Sequence, residues 1–108
     1  MSENKRFVDA FPELAKEIEG LLIEEGELEL ADQVKDLKII DRCRCGDGFC
    51  ATIYTMIRPK RGYDFTHRNV SLPADKGIIV LDVVDERIAG LEILFRDEVR
   101  ERLLQVLP

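Results

Sequence analysis

Tryptophan is absent from this sequence, and long apolar runs are absent as well. Aromatic residues make up 6% of the 108 residues, which predicts a mainly aliphatic core. No apolar stretch approaches the ~20 residues that a helix needs to cross a bilayer. The first 11 residues carry charge without an apolar segment, so we expect neither a leader nor a membrane anchor, and we expect a cytoplasmic protein.

The short motifs of several enzyme classes are also missing. The sequence has no glycine-rich phosphate loop, no HExxH pair, no nucleophile elbow and no carboxylate pair spaced beside a suitable base. We therefore expect a protein that is not an enzyme and that uses no cofactor.

The composition and length of the chain are those of one ordinary globular domain. Hydrophobic residues make up 45% and charged residues 35% of the chain, a composition typical of globular proteins. A chain of this length buries roughly two thirds of its unfolded surface, so it can fold without metal or disulfides. We expect residues 1–108 to form a single domain.

Apolar periodicity predicts helices at both ends of the chain. Phe11 to Leu22 repeats apolar residues at steps of three and four, with Pro12 suited to a first helical turn. Gly26 is a stop signal, a shorter helix follows from Glu27, and a last helix begins at Asp97.

In the remaining chain, apolar and polar residues alternate with a period of two, which predicts strands. Five segments show it: residues 37–45, 49–58, 69–72, 77–84 and 88–95. We predict an α+β fold in which amino-terminal helices and a carboxy-terminal helix pack on one face of a five-stranded antiparallel meander. Gly90, inside the last strand, favours a bulge or a close packing neighbour.

All three cysteines lie within the eight residues CRCGDGFC, residues 43–50. If Asp47 and Gly48 form a two-residue turn, Cys45 faces Cys50 and the three thiols share one side of the sheet. If the loop has three residues, Cys45 faces Phe49, and Cys50 points away from the other two. We favour the three-residue loop, because it separates apolar from charged side chains along both strands.

The cysteines also suggest an alternative function as a zinc-binding or thiol-redox protein. Cys43, Cys45 and Cys50, with His67 as a fourth ligand, have the ligand chemistry that zinc prefers. The spacing of the cysteines argues against a zinc site, because strand residues two apart lie about 6.5 Å from each other with parallel side chains. We also expect His67 to lie far along the sheet from Cys50, near Pro59, which separates the two as a catalytic pair as well.

Basic residues are concentrated in the middle of an acidic chain. The net charge is −6, yet basic residues outnumber acidic ones between residues 35 and 68. With the aromatic residues among them, they form the predicted binding surface: Lys38, Arg42, Arg44, Tyr54, Arg58, Lys60, Arg61, Tyr63, His67 and Arg68.

We expect this surface to lie on a sheet face that no helix covers. It favours a protein-interaction or regulatory module that binds an unknown protein partner, or a second copy of itself as a homodimer. A second alternative is single-stranded nucleic acid, bound by Arg42, Arg44 and the loop of residues 58–68, because charge can pair with phosphates and rings can stack on bases.

The segment GIIVLDVVDERIAGLEIL, residues 77–94, resembles a family of small prokaryotic domains of unknown function. The resemblance rests on a strand, an acidic turn and a strand that ends in Gly-x-Glu-Ile-Leu. It implies a compact antiparallel arrangement and no catalytic residue. Within it, Glu92 is expected to make a cross-strand or helix-cap contact.

Overall fold

The computed structural model describes residues 5–108. Residues 1–4, part of the segment used to predict the absence of a leader, lie outside that range. The helices are Phe7–Ala10 (α1), Pro12–Glu24 (α2), Leu28–Gln33 (α3) and Asp97–Val106 (α4), with a 3₁₀ turn at Val34–Asp36. The strands are Asp41–Arg42 (β1), Ile53–Tyr54 (β2), Arg68–Leu72 (β3), Ile78–Val84 (β4) and Arg87–Leu94 (β5). No helix in this described part has the length and apolarity needed to cross a membrane.

The helices begin and end where the sequence signals predict. Pro12 occupies the first turn of α2, where its missing N–H has no intrahelical partner. Gly26 follows the helix with a φ of 78°, a left-handed conformation that glycine adopts without steric cost. The predicted helices from Glu27 and from Asp97 are present as α3 and α4. The one-turn helix α1 was not predicted.

The predicted α+β class with a five-stranded antiparallel sheet is confirmed. The strand order is β1-β2-β5-β4-β3, so β3, β4 and β5 form a meander and the β1-β2 hairpin joins it along β5. The connection between β2 and β3 therefore carries the chain across the sheet to the far edge of β4.

One face of the sheet and the helices enclose a single aliphatic core. Alternate residues of β4 and β5 point into it, including Leu81 and Leu91, which are fully buried. The helices contribute a stripe from α2 and two residues from α4: Leu14, Ala15, Ile18, Leu22, Val99 and Leu103. Burial of these apolar side chains is the main term that stabilises the fold.

The opposite face is covered as well, although no helix lies on it. Residues 58–67, here called the strap, cross it between β2 and β3. The guanidinium carbon of Arg58 lies 4.1 Å from the centre of the Tyr54 ring, and the His67 imidazole bonds to Asp82. Tyr54, under Arg58, is only 8% exposed, and Thr52 on the same face is 7% exposed. The expectation that this face is uncovered is wrong.

A bulge in β4 and β5 determines which groups meet under the strap. Asp82 pairs with Gly90, but the next residue, Val83, pairs with Ile88, so Ala89 has no pairing residue in β4. A Cβ on Gly90 would lie 3.3 Å from the Asp82 carboxylate and 3.6 Å from the Tyr54 ring. The predicted bulge and close neighbour at Gly90 are therefore both present.

Candidate metal centre

The hairpin that carries the cysteines has the other of the two registers. β1 and β2 pair antiparallel, and the Cys43 amide donates to the Thr52 carbonyl oxygen at 2.9 Å. These pairs match the register of the two-residue turn, but the chain bends one residue later, because the Cys50 amide donates to the Asp47 carbonyl oxygen at 3.2 Å around Gly48 and Phe49. The favoured loop, in which Cys45 faces Phe49 and Cys50 points away, is wrong.

Regular pairing in this hairpin is also shorter than predicted. The predicted strands of residues 37–45 and 49–58 reduce to the two-residue strands β1 and β2. Phe49 and Ile57, which the favoured register placed in the core, are 43% and 84% exposed. The cysteines therefore sit in irregular backbone near the turn.

Two arginines explain why separating apolar from charged residues led to the wrong register. Arg42 pairs with the buried Ile53, so it lies on the helix side of the sheet. Its Nε donates to the Leu107 carbonyl oxygen at 2.5 Å, and Arg44 donates to that of Pro108 at 3.4 Å. The last carbonyl groups of a helix lack intrahelical partners. They provide acceptors that the hydrophobic pattern of the hairpin does not reveal.

The three sulfur atoms converge. The Sγ atoms of Cys43, Cys45 and Cys50 all lie within 4.8 Å of one another. This group, found among residues 5–108, contains no histidine, aspartate or glutamate. Cys43 and Cys50 are half-buried, Cys45 is exposed, and all three are free thiols. The arrangement supplies three soft ligands at one point of the surface.

Hydrogen bonds within the group make Cys43 and Cys45 unequal acids. Burial raises the pKa of Cys43, but donors from the Cys45 backbone and from the side chains of Cys45, Tyr54 and Cys50 outweigh it and lower that pKa overall. The Asp47 backbone lowers the pKa of Cys45, yet the bond to Cys43, burial and the nearby Cys50 raise it to about 11. Cys43 is therefore the first of these two to become a thiolate.

A small cavity opens beside the sulfurs. Its volume is about 30 Å³, about that of one water molecule. The three cysteines line it together with Arg42, Asp47 and, from α4, Arg100 and Leu103. Both arginines therefore place positive charge at the same cavity as the thiols.

His67 does not join the thiols. Its Nε2 lies 2.9 Å from an Asp82 oxygen, and its ring packs at a tilt against Tyr63 with the centres 4.7 Å apart. The expected location near Pro59 assumed that β3 pairs with β2, whereas β3 pairs only with β4. The prediction that His67 lies apart from the cysteines is nevertheless confirmed.

The ten predicted binding residues are not assembled into one surface. Arg42 and Arg44 bond to the carboxyl end of the chain, as described above. Arg68 bonds to Glu27 through two nitrogens at 3.0 Å and also to Glu86. Arg58 and Tyr54 contact each other, Tyr63 contacts His67, and Lys38, Lys60 and Arg61 are exposed.

Two acidic residues that the sequence patterns did not single out as a pair meet under the strap. Asp82 lies in β4, and Glu92 lies in β5 on the same face. Burial, a hydrogen bond with Asp82 and the charge of Asp82 raise the pKa of Glu92 to about 7. The signal available in the sequence was Asp82 itself, a carboxylate within the apolar run IIVLDVV.

Comparison of the chain with protein-family models, with curated proteins and with solved structures gave no significant match. The resemblance of residues 77–94 to a small prokaryotic family therefore stays a prediction. The function has to be inferred from the geometry of the chain itself.

Proposed function

We propose that this protein binds a thiophilic divalent metal ion, Zn²⁺, through Cys43, Cys45 and Cys50. One observation carries the proposal: three Sγ atoms lie within 4.8 Å of one another. A hairpin in which the thiols merely packed would have no need to bring three of them to one point. Zinc prefers thiolate ligands, and three of them form a familiar ligand set.

The distances suit zinc after a small adjustment. Tetrahedral zinc with Zn–S bonds of about 2.3 Å holds its sulfurs about 3.8 Å apart. The present separations exceed this by about 1 Å at most. Because the cysteines lie outside the regular strands, the turn can close by that amount without breaking the sheet.

Three protein ligands leave the fourth position open. The adjoining cavity of about 30 Å³ accommodates a water molecule or one donor atom of an external ligand. Zinc sites with three protein ligands and a water are typical of exchangeable or reactive centres, whereas structural sites use four. We infer a site that exchanges its fourth ligand.

The surrounding charges support a metal-thiolate complex. Three thiolates and Zn²⁺ together carry one negative charge, and Arg42 and Arg100 line the same cavity. The lowered pKa of Cys43 and the raised pKa of Cys45 mean that Cys43 loses its proton more readily than Cys45 does. Metal binding should therefore release protons and tighten as the pH rises.

Titration of the reduced, metal-free protein with Co²⁺ tests the proposal, since thiolate-to-cobalt charge transfer reports sulfur ligands directly. We expect an intense near-ultraviolet band that saturates at one equivalent and that Zn²⁺ abolishes by displacement. Cys43→Ser, Cys45→Ser and Cys50→Ser should each remove or strongly weaken the band. The metal-free protein should remain folded, because the core does not include the cysteines.

His67→Gln is the matched control, because it removes the one imidazole of the chain at a position away from the sulfurs. It should leave the cobalt band unchanged. A wild-type protein without the band, or a band that survives all three serine substitutions, contradicts the proposal. Thiols that pair readily under a mild oxidant while binding no metal would instead favour the thiol-redox alternative.

The other expectations about function stay predictions. We further propose a location in the reducing cytoplasm, where free thiols persist. Interaction with a protein partner, homodimer formation and single-stranded nucleic-acid binding are not supported by a common surface of the predicted residues. Of the ten predicted binding residues, Lys38, Lys60 and Arg61 are exposed and were assigned no contact above, so such interactions would have to use them.

A further inference from the structure

The strap and the residue before it expose large apolar side chains. Ile57, directly before the strap, and Phe65 within it are 84% and 98% exposed, so they contact almost nothing in their own chain. By contrast, the exposed rings of Phe49 and Phe95 stack on each other with their centres 5.1 Å apart. Two fully exposed apolar side chains in one short segment are typical of a surface that binds a partner.

The strap is also a basic segment of an acidic chain. Arg58, Lys60 and Arg61 are all exposed. Arg58 lies over the Tyr54 ring, whereas Lys60 and Arg61 belong to no ion pair among residues 5–108. The whole chain carries a net charge of −6, so most of the surface that another copy presents is attractive to these cations. A surface that matches the strap combines exposed apolar side chains with negative charge.

The groove between α2 and α3 combines these two properties. Its volume is about 400 Å³, and the half-exposed side chains of Ile23 and Leu28 line it. Glu19 and Asp32 line it as well, and the basic residue of the lining, Lys35, is bonded to Asp32 at 2.5 Å. Further exposed carboxylates lie along the same helices and the turn that joins them: Glu24, Glu25 and Glu29.

We propose that the strap of one copy of this protein docks in the α2-α3 groove of a second copy. The apolar side chains of Ile57 and Phe65 contact the apolar lining of the groove, and Lys60 and Arg61 lie beside its carboxylates. Charge complementarity of this kind determines the orientation of the two copies. Because the strap and the groove are different surfaces, the contact is heterologous, and it either closes into a ring or continues as a chain of copies.

The size of the two surfaces indicates a weak and reversible contact. One segment of about ten residues in one groove buries less than the ~1,000 Å² of a stable interface. We therefore expect association at protein concentrations between about 10 μM and about 1 mM. The contact does not depend on metal binding, because neither the strap nor the groove contains a cysteine.

Sedimentation equilibrium of the reduced, metal-free protein tests this inference, because these conditions exclude disulfide and metal bridges between copies. We expect the weight-average mass to rise above the 12.4 kDa of one chain as the concentration increases. Raising the ionic strength from about 0.01 M to about 1 M shortens the screening length from about 30 Å to about 3 Å. This change should weaken the association by about tenfold or more.

Charge reversal on either surface should abolish the association. The strap variant is Lys60→Glu with Arg61→Glu, and the groove variant is Glu19→Lys with Asp32→Lys. Each should sediment as a monomer when it is alone. An equimolar mixture of the two should associate as wild type does, because each native surface meets its native counterpart and the reversed strap meets the reversed groove. Circular dichroism checks that both variants are folded.

Two control variants change the charge by the same amounts at exposed positions outside both surfaces: Lys38→Glu with Arg87→Glu, and Glu13→Lys with Glu101→Lys. Both should associate as wild type. Phe65→Ser should weaken the association about tenfold without changing the melting temperature, because the removed ring is 98% exposed. The inference is overturned if the wild-type chain stays monomeric at about 1 mM and low ionic strength, if only one of the two charge-reversed variants loses association, or if their mixture stays monomeric.

Discussion

At the scale of single residues, Gly77 shows how one missing side chain permits the sheet to form. It precedes β4 with a φ of 69°, in the left-handed region where other residues are strained. A Cβ at this position would lie 2.5 Å from the Leu94 carbonyl oxygen and 2.8 Å from Cγ of Arg96. Both the conformation and the space require glycine here.

Gly77→Ala should therefore lower the free energy of unfolding by about 3 kcal/mol, combining backbone strain with the clash against Leu94. Urea denaturation with matched slopes measures the change. Gly26→Ala is the control, because Gly26 has a φ of 78° but nothing within 4 Å of its added Cβ. It should cost about 1 kcal/mol. Equal losses at the two positions would show that the contact with Leu94 can relax.

At the scale of elements, Arg96 ties the amino-terminal helices to the end of the sheet. Its guanidinium is bonded to both carboxylate oxygens of Glu17 in α2, at 2.9 and 3.1 Å, and to Glu98 in α4 at 2.8 Å. It also donates to the Lys76 carbonyl oxygen. One buried cation thus joins α2, α4 and the turn before β4.

Arg96→Ala should destabilise the protein by about 2 kcal/mol, less than for a fully buried ion pair because Glu17 and Glu98 remain partly hydrated. Arg87→Ala, at an exposed position that begins β5, should change stability by less than about 0.5 kcal/mol. Thermal unfolding followed by circular dichroism distinguishes the two. Similar melting temperatures for both variants would mean that the Arg96 bonds contribute no net stability.

At the scale of the whole molecule, carboxylates whose pKa values are shifted in opposite directions determine how stability depends on pH. The bond to Arg96, together with the Lys76 contact, lowers the pKa of Glu98 to about 2 despite some burial, and the bonds to Arg68 lower that of Glu27. Their stabilisation is present above the unfolded pKa near 4.5 and is lost as the pH falls. Glu92 behaves oppositely, because its folded pKa is raised to about 7. Its contribution is complete below pH 4.5 and is lost as the pH rises to 7.

We expect the free energy of unfolding to be greatest near pH 5 and to fall on both sides. Glu98→Gln should flatten the acid side between pH 4.5 and 2, by less than about 1 kcal/mol because the side chain is half exposed. Denaturant unfolding across this pH range measures both slopes. A stability that rises steadily from pH 4.5 to 8 would contradict the assignment for Glu92.

The helices and the class of fold were predictable because their signals are local. Pro12 and Gly26 act on the backbone next to them. The three- and four-residue spacing of apolar residues in α2 and α4 indicates which side of each helix is buried. The bulge at Gly90 was likewise predictable, since glycine inside a strand has few other uses. The clustering of the cysteines in sequence identified the candidate site, but the favoured register removed Cys50 from it.

By itself, the sequence determined the α+β class, the positions of α2, α3 and α4, and the three cysteines proposed as metal ligands. Only the tertiary structure decided that β2 pairs with β5, that three sulfurs converge, and that Asp82, Glu92 and His67 meet under the strap. The physical reason is distance along the chain. Arg42 is placed by a carbonyl oxygen of Leu107, 65 residues away, and a periodic pattern within one hairpin carries no information about such a partner.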